Sequence, residues 1–226
     1  MRRALLTNAL GGALLFGSLL GCVPQSSLPG TICEPHTDAD LLAIAAGERH
    51  CSSVSIAETQ FENLDGLRGL TSVPEAVSVF RNEHLADLTG LEDLSHVGGI
   101  TVSENPSFEE VDLSWHGQIG IVNFSNNANL RALSISLDTA DSYLGIGDEA
   151  ITSLTLANPA PTKELSLTHL PELASLGGLA GLASVEIVLF YDLPSMPAAE
   201  VESFLAGLDP APSYMEICDV EGYPGC

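Results

Sequence analysis

Basic residues are scarce in this sequence. Its 226 residues include seven Lys and Arg against 30 Asp and Glu, which gives a formal net charge of −23 at pH 7. Proteins that bind nucleic acids neutralise phosphates with a basic stripe or patch, and Lys163 is the single lysine here. The composition therefore predicts no nucleic-acid partner. It also predicts that attraction to anionic lipid headgroups does not hold the chain at a membrane.

The sequence also lacks the common signatures of catalytic and metal sites. No two of its histidines lie four residues apart, no CxxC pair occurs, and neither a P-loop nor a G-x-S-x-G motif is present. Acidic residues cluster between Asp138 and Glu149 without the ligand order of a calcium loop. We expect a solvated acidic surface there, with calcium binding as the alternative. We predict no cofactor, no metal site and no enzymatic activity.

No apolar run reaches the roughly 20 residues that a membrane-spanning helix needs. The apolar stretch 9–20 follows Arg2 and Arg3 and ends in Leu-Leu-Gly-Cys at 19–22. A charged start, a short apolar middle and a small residue before the cleavage point are typical of a secretory signal. The sequence therefore predicts export, with residues 1–21 as the signal peptide.

Leu-Leu-Gly-Cys resembles the lipobox of bacterial lipoproteins, in which the cysteine becomes the lipidated first residue of the mature chain. The resemblance implies a lipid on Cys22, a flexible tether at 22–30 and a membrane contact made by the lipid alone. The alternative is an ordinary signal peptide with a chance cysteine. Val23 is not the aspartate that is associated with inner-membrane retention in similar lipoproteins. We therefore expect an anchor in the bacterial cell envelope, with the outer membrane favoured.

The other four cysteines flank the rest of the chain in two local pairs. Four cysteines permit three pairings, and the simplest joins each local pair, Cys33 to Cys51 and Cys218 to Cys226. An oxidising compartment favours disulfides over a zinc site, for which the spacing is also wrong. We predict one disulfide in an amino-terminal cap, 31–52, and one in a carboxy-terminal helix and cap, 197–226.

The amino-terminal cap also contains the pattern of a short helix. Thr37 and Asp38 precede the helical stretch 39–46 and could cap it. We expect the apolar residues Leu41, Leu42 and Ile44 to cover the open end of the core.

A phrase of 21–23 residues recurs about seven times between these caps, in 53–196. Its hydrophobic anchor residues, each with an apolar or small residue two positions earlier, are Ile56, Val79, Val102, Phe124, Ile146, Leu167 and Phe190. The alternation of apolar and polar residues predicts a short strand with one buried row in each repeat. Leucines spaced by three, as in 64–70, favour a helical or 3₁₀ return path. A fixed period of this length is typical of a solenoid.

Asparagine follows the anchor by three residues in three consecutive repeats, at Asn82, Asn105 and Asn127. An asparagine at this place can bond neighbouring backbone groups as the chain leaves the strand. We therefore expect these side chains to satisfy polar groups that the turns would otherwise bury.

The stretch 88–105, LTGLEDLSHVGGITVSEN, resembles the leucine-rich-repeat variant of receptor L domains. The resemblance extends closely over 54–105 and loosely over 134–165. It implies an α/β or mainly β repeat protein, a right-handed, receptor L-domain-like β-solenoid with short helical caps. It also implies a binding role and transfers no catalytic or ligand-binding residue.

Aromatic residues make up only 5% of the chain, so those beside strand positions are candidate binding residues. Interfaces favour aromatic anchors, and we predict contact residues at Phe80, Trp115, Tyr143 and Tyr191. The function predicted is a non-catalytic module for an unknown protein or glycan ligand, acting as a monomer. The alternatives are a structural envelope component or adhesin and, less favoured, a carbohydrate-active β-helix enzyme.

Overall fold

The computed structural model describes residues 30–147 and 149–223. The predicted signal peptide, Cys22, the tether up to residue 29 and Cys226 lie outside the described residues. Within the described ranges, no helix is long and apolar enough to cross a membrane.

The described chain is mainly β. Its strands, numbered in chain order, are β1 (Ile32–Cys33), β2 (Ser53–Ala57), β3 (Ser72–Phe80), β4 (His96–Ser103), β5 (Glu110–Ser114), β6 (Gln118–Ser125), β7 (Ala132–Ser136), β8 (Ser142–Gly147), β9 (Ser153–Asn158), β10 (Thr162–Thr168), β11 (Gly181–Leu182), β12 (Val185–Pro197) and β13 (Tyr214–Glu221). Its helices are α1 (Asp38–Ala45), α2 (Ala198–Gly207) and two 3₁₀ turns, Asp65–Leu67 and Gly177–Leu179.

Nine parallel strands form the main sheet, in the order β1-β2-β3-β4-β6-β8-β10-β12-β13. The predicted anchor residues pair with one another from strand to strand, for example Ile56 with Val79 and Val79 with Val102. All seven anchors are at most 3% exposed, which confirms the predicted buried row. Ile217 of β13 extends that row beyond Phe190. Because each repeat places its anchor at the same depth, one continuous core runs behind the main sheet.

A second parallel sheet, in the order β11-β9-β7-β5, was not predicted. We expected helical or 3₁₀ return paths, and Asp65–Leu67 and Gly177–Leu179 do form 3₁₀ turns. The middle return paths instead alternate apolar and polar residues, as in Val111-Asp-Leu113 and Leu133-Ser-Ile135, and they pair as strands. Their period of two favours a half-buried strand over a helical face.

Three asparagines behind the carboxyl ends of the strands form a buried ladder. The backbone N–H and side-chain amide of Asn82 donate to Oδ1 of Asn105 at 3.1 and 3.0 Å. Asn105 donates in the same way to Asn127, and Asn127 to Oε1 of Glu149. These bonds satisfy polar groups where the chain leaves the sheet, which fixes successive strands at one level.

The amino-terminal cap is a short helix held by a disulfide. Cys33 and Cys51 are bonded, which confirms that predicted pair, and Cys218 is also disulfide-bonded while its expected partner lies outside the described residues. Leu41 of α1 covers the end of the core as expected. Leu42 was expected to do the same but is 60% exposed, because α1 turns only one face to the core.

Candidate binding face

The outer face of the main sheet is built from the strand residues that alternate with the buried rows. Over β2, β3, β4 and β6 this face carries mostly small or polar side chains. One row across it consists of Ser55, Ser78, Thr101 and Asn123. Small side chains leave the hydrogen-bonded strands close to solvent and offer little apolar area for a partner.

The same face becomes apolar and aromatic over its carboxy-terminal half. Its large side chains, which we call the aromatic face, are Ile121, Tyr143, Ile187, Leu189, Tyr191 and Tyr214. The strand register places Ile121 beside Tyr143 and Ile187 beside Tyr214. Ile121, Tyr143 and Tyr214 are 48%, 41% and 50% exposed, whereas the other three are half-buried by their neighbours. The strand geometry does not by itself require large side chains at these outward positions, since the other half of the face has small ones.

A carboxylate sits between two tyrosines of the aromatic face. The Tyr214 hydroxyl donates to Oε2 of Glu216 at 2.8 Å, and the Tyr191 hydroxyl also donates to Glu216. These two bonds, that of Tyr214 first, lower the pKa of Glu216. Partial burial and the bond to Glu216 raise the pKa of Tyr191, and the bond to Glu216 raises the pKa of Tyr214. At neutral pH the arrangement therefore presents one negative charge flanked by two neutral phenols.

Lys163 supplies a positive charge at the edge of this region. Its Nζ lies 2.5 Å from Oε2 of Glu186, and that hydrogen bond raises the pKa of Lys163. The pair is partly exposed, so it contributes little to stability. Glu164 stands between Tyr143 and Ile187 in the strand register. The outward side chains of β10, which are Glu164, Ser166 and Thr168, therefore separate Ile121 and Tyr143 from the large side chains of β12 and β13.

Two of the four predicted contact residues belong to the aromatic face. Tyr143 is exposed and Tyr191 is half-buried, and both point away from the core. Phe80 also points outward, but it lies on β3, where the guanidinium of Arg81 is 6.0 Å from its ring centroid. The structure does not bring Phe80 near the two tyrosines.

The prediction that Trp115 is a contact residue is wrong. Its side chain is fully buried, and its indole Nε1–H donates to the backbone oxygen of Leu91 at 2.9 Å. It directly follows β5, where it continues the buried row of Val111 and Leu113. It therefore belongs to the core between the two sheets, and it cannot contact a ligand.

Five residues of this region were not predicted: Ile121, Ile187, Leu189, Tyr214 and Glu216. The sequence does predict that they face outward, because each lies an odd number of residues from the buried anchor of its strand. Ile121 and Ile187 lie in the same outward row as Tyr143 and Tyr214, whereas Leu189 lies beside Glu216. All three lack the aromatic ring on which the prediction of contact residues rested.

A polar groove of about 690 Å³ lies beside the amino-terminal ends of β4 and β6, with His96, Gln118 and Asp138 in its lining. Asp138 accepts from the backbone N–H of Gly117 at 2.7 Å and is 3.0 Å from Nδ1 of His116. These hydrogen bonds, that of Gly117 first, lower the pKa of Asp138. The Asp138 carboxylate therefore stabilises the loop at 116–117 through these hydrogen bonds.

Among residues 30–147 and 149–223, no group of three or more His, Cys, Asp and Glu side chains is placed to hold a metal ion. Comparison of the chain with protein-family models, curated proteins and solved structures finds no match. The function is therefore inferred from the geometry of the chain itself.

Proposed function

We propose that this chain is an exported bacterial lipoprotein whose folded part is a right-handed, leucine-rich-repeat-like solenoid that binds a protein or glycan without catalysis. The regular parallel register and the asparagine ladder support the solenoid. The lipobox-like end of the apolar leader supports the anchor.

The aromatic face is the observation on which the binding role rests. Exposed large apolar side chains that neighbour one another on a protein surface are a feature of interaction sites. Here Ile121 and Tyr143 are neighbours in register, as are Ile187 and Tyr214, and three of these four are at least 41% exposed. Interface centres favour tyrosine because it supplies a large contact area together with a hydrogen-bonding hydroxyl.

Substitutions on the face test its role. Tyr143→Ala removes an exposed aromatic side chain, and Leu189→Asp places a charge among the large side chains of β12 and β13. We expect both to reduce partner recovery after chemical crosslinking of intact cells, with the melting temperature of Tyr143→Ala unchanged. Ser134→Asp, on the outward side of β7 in the second sheet, is the matched control. Equal partner recovery with Leu189→Asp and Ser134→Asp would contradict the role of the aromatic face in binding.

The anchor is tested separately by lipid labelling. Wild-type protein should incorporate a fatty-acid analogue and remain with the membrane fraction, and Cys22→Ala should do neither. Protease treatment of intact cells then shows which side the domain faces, and thus where its partner lies. Absence of label on the wild type would refute the lipoprotein assignment and leave the binding face untouched.

A further inference from the structure

Strand β8 has no side chain at two successive outward positions of the main sheet, Gly145 and Gly147. In the register Asn123 and Ser166 lie on either side of Gly145, and Thr168 lies beside Gly147. Gly145 is partly exposed, and a Cβ atom there would lie 2.8 Å from Oδ1 of Asn123. The Thr168 hydroxyl lies where a Cβ atom of Gly147 would be. These five residues form a shallow polar depression, which we call the β8 trough.

Three polar side chains of the β8 trough are available to a ligand. Within residues 30–147 and 149–223, the side chains of Asn123, Ser166 and Thr168 make no hydrogen bond to another residue. All three are partly exposed. An amide or a hydroxyl group both donates and accepts hydrogen bonds. A ligand can therefore bond to these groups without breaking a hydrogen bond within the described protein.

Aromatic rings lie at two opposite corners of the β8 trough. Tyr143 precedes Gly145 on β8 and is 41% exposed. Tyr191 lies two strands across the sheet and four residues further along it, so the two Cα atoms are about 16 Å apart. The hydrogen bond from the Tyr191 hydroxyl to Glu216 restrains the orientation of that ring. A ligand that spans this distance meets a ring at each end and polar groups between them.

Charge and polarity favour a neutral, hydroxyl-rich ligand here. None of the residues of the β8 trough is charged, and two carboxylates flank it, Glu164 beside Tyr143 and Glu216 beside Leu189. These carboxylates and the excess of Asp and Glu over Lys and Arg repel an anionic ligand. The centre of a protein–protein interface is commonly apolar, whereas the middle of this region is polar.

Building on the binding role proposed above for the aromatic face, we propose that the β8 trough binds an extended, neutral glycan of β-1,4-linked sugars. Such a sugar has C–H groups on its faces and hydroxyls around its edge. One sugar stacks on the Tyr143 ring, whose negative face attracts the C–H groups. Hydroxyls of the following sugars bond to Asn123, Ser166 and Thr168, and a sugar further along meets Tyr191. A β-1,4 linkage keeps the chain extended, as the separation of the two rings requires.

Titration of the purified protein with defined hexasaccharides tests the ligand class. Cellohexaose and N-acetylchitohexaose are neutral and extended, and we expect saturable binding of at least one of them. Hexagalacturonate should not bind because it is anionic, and maltohexaose should not bind because its α-1,4 chain coils. Failure of both extended neutral sugars to bind, or equal or tighter binding of either control sugar, overturns the proposal.

Filling the depression locates the site. Gly145→Thr should abolish hexasaccharide binding and leave the melting temperature unchanged, because threonine suits a strand and meets only the tip of the flexible Asn123 side chain. Ala57→Thr is the matched control, since Ala57 is an outward residue of the same sheet on the distant strand β2. Equal affinity of these two variants for the sugar would refute the site.

Two further substitutions separate stacking from hydrogen bonding. Tyr143→Ala should weaken the hexasaccharide by roughly tenfold or more, whereas Tyr143→Phe should keep its affinity within about twofold, because the ring makes the contact. Asn123→Ala should weaken it by about fivefold, the loss of hydrogen bonds from one amide. Equal losses with Tyr143→Phe and Tyr143→Ala would contradict the stacking.

The glycan proposal and the proposed function fail in different ways. If no hexasaccharide binds but Leu189→Asp still lowers the recovery of a crosslinked protein, the glycan proposal fails and the binding role of the aromatic face stands. If Gly145→Thr also abolishes that recovery, a protein occupies the β8 trough, which likewise overturns the glycan proposal. Hexasaccharide binding that Gly145→Thr abolishes supports the trough whatever protein is recovered.

Discussion

At the residue scale, the asparagine ladder shows why one polar residue recurs in an apolar core. Each asparagine both donates to the next repeat and accepts from the previous one, so it serves three consecutive strands. Asn105, for example, also donates to the backbone oxygens of Val79 and Ser103. Glu149 ends the ladder because a carboxylate accepts from Asn127 without needing a further acceptor, and the next repeat has the buried Leu170.

Asn105→Ala should destabilise the protein by about 3 kcal/mol, because it removes the acceptor of the buried Asn82 backbone N–H and the side-chain donor to the carbonyls of Val79 and Ser103. Urea denaturation measures this loss. Asn129→Ala is the matched control, since Asn129 is exposed and makes one hydrogen bond to Pro106. Similar losses in the two variants would contradict the structural role of the ladder.

The residue two positions after six of the seven anchors adopts a left-handed backbone. Positive φ occurs at Glu58, Arg81, Glu104, Asn126, His169 and Asp192, all in the same place of their repeats. Such a turn is costly for β-branched residues and easy for asparagine or glycine. Backbone strain at this turn therefore disfavours β-branched residues.

Asn126→Val should lower the free energy of unfolding by about 1–2 kcal/mol, because valine is strained at a φ of 60°. Asn126→Gly should stay within about 1 kcal/mol of wild type, since glycine accepts this conformation. Thermal unfolding of the pair measures the difference. Equal stability of the two variants would show that the left-handed turn is absent in solution.

At the element scale, helix α1 shows how the sequence determines where a helix begins. Thr37 was predicted to cap the helix, and its hydroxyl accepts from the backbone N–H of Asp40 at 3.2 Å. The Asp40 carboxylate in turn accepts from the Thr37 hydroxyl and backbone and from the His36 backbone, and it pairs with Arg49. These contacts, that of the Thr37 side chain first, lower the pKa of Asp40 from 3.8 to about 2.

Asp40→Asn should remove a pH-dependent part of the stability. The folded-state pKa is depressed, so the ionised carboxylate stabilises the cap above pH 3.8 and loses this effect as the pH falls towards about 2. The difference in unfolding free energy between wild type and Asp40→Asn should therefore be constant near neutral pH and shrink across that interval. Denaturation at several pH values measures it, and a difference independent of pH would contradict the assignment.

The strands of the main sheet were predictable because the apolar period fixes which residues face the core. The second sheet was not predictable in this way. Its short segments 110–114 and 132–136 occupy the same part of the repeat as 64–70, where the leucine spacing is typical of a helical turn. Trp115 was misassigned for the same reason: its place in the buried row of β5 is visible only once β5 is recognised. The aromatic face needed the register between strands, which places Ile187 beside Tyr214 although they are distant in sequence.

At the scale of the whole molecule, the acidic charge opposes compaction. Seven basic residues offset only part of the charge of 30 acidic ones, in exposed ion pairs such as that of Arg81 with Glu58 and Glu104. Exposed pairs are individually worth little, so repulsion among the remaining carboxylates dominates the response to salt.

Raising the salt concentration from about 0.01 to about 0.1 M should therefore raise the melting temperature, because the screening length falls from about 30 to about 10 Å. A neutral osmolyte of equal osmolarity is the control for non-electrostatic effects. A fall in melting temperature would indicate that the ion pairs outweigh the repulsion.

The proposed function depends on one surface, the carboxy-terminal half of the outer sheet face, meeting a partner. Site-specific photocrosslinking on intact cells addresses this contact, with a photoreactive residue at Leu189 and, as controls, at Ser78 on the small, polar half of the same face and at Ser134 on the second sheet. We predict a discrete higher-mass adduct from Leu189 and none from the controls. No adduct from Leu189, or the same adduct from all three positions, would contradict the binding role of this face.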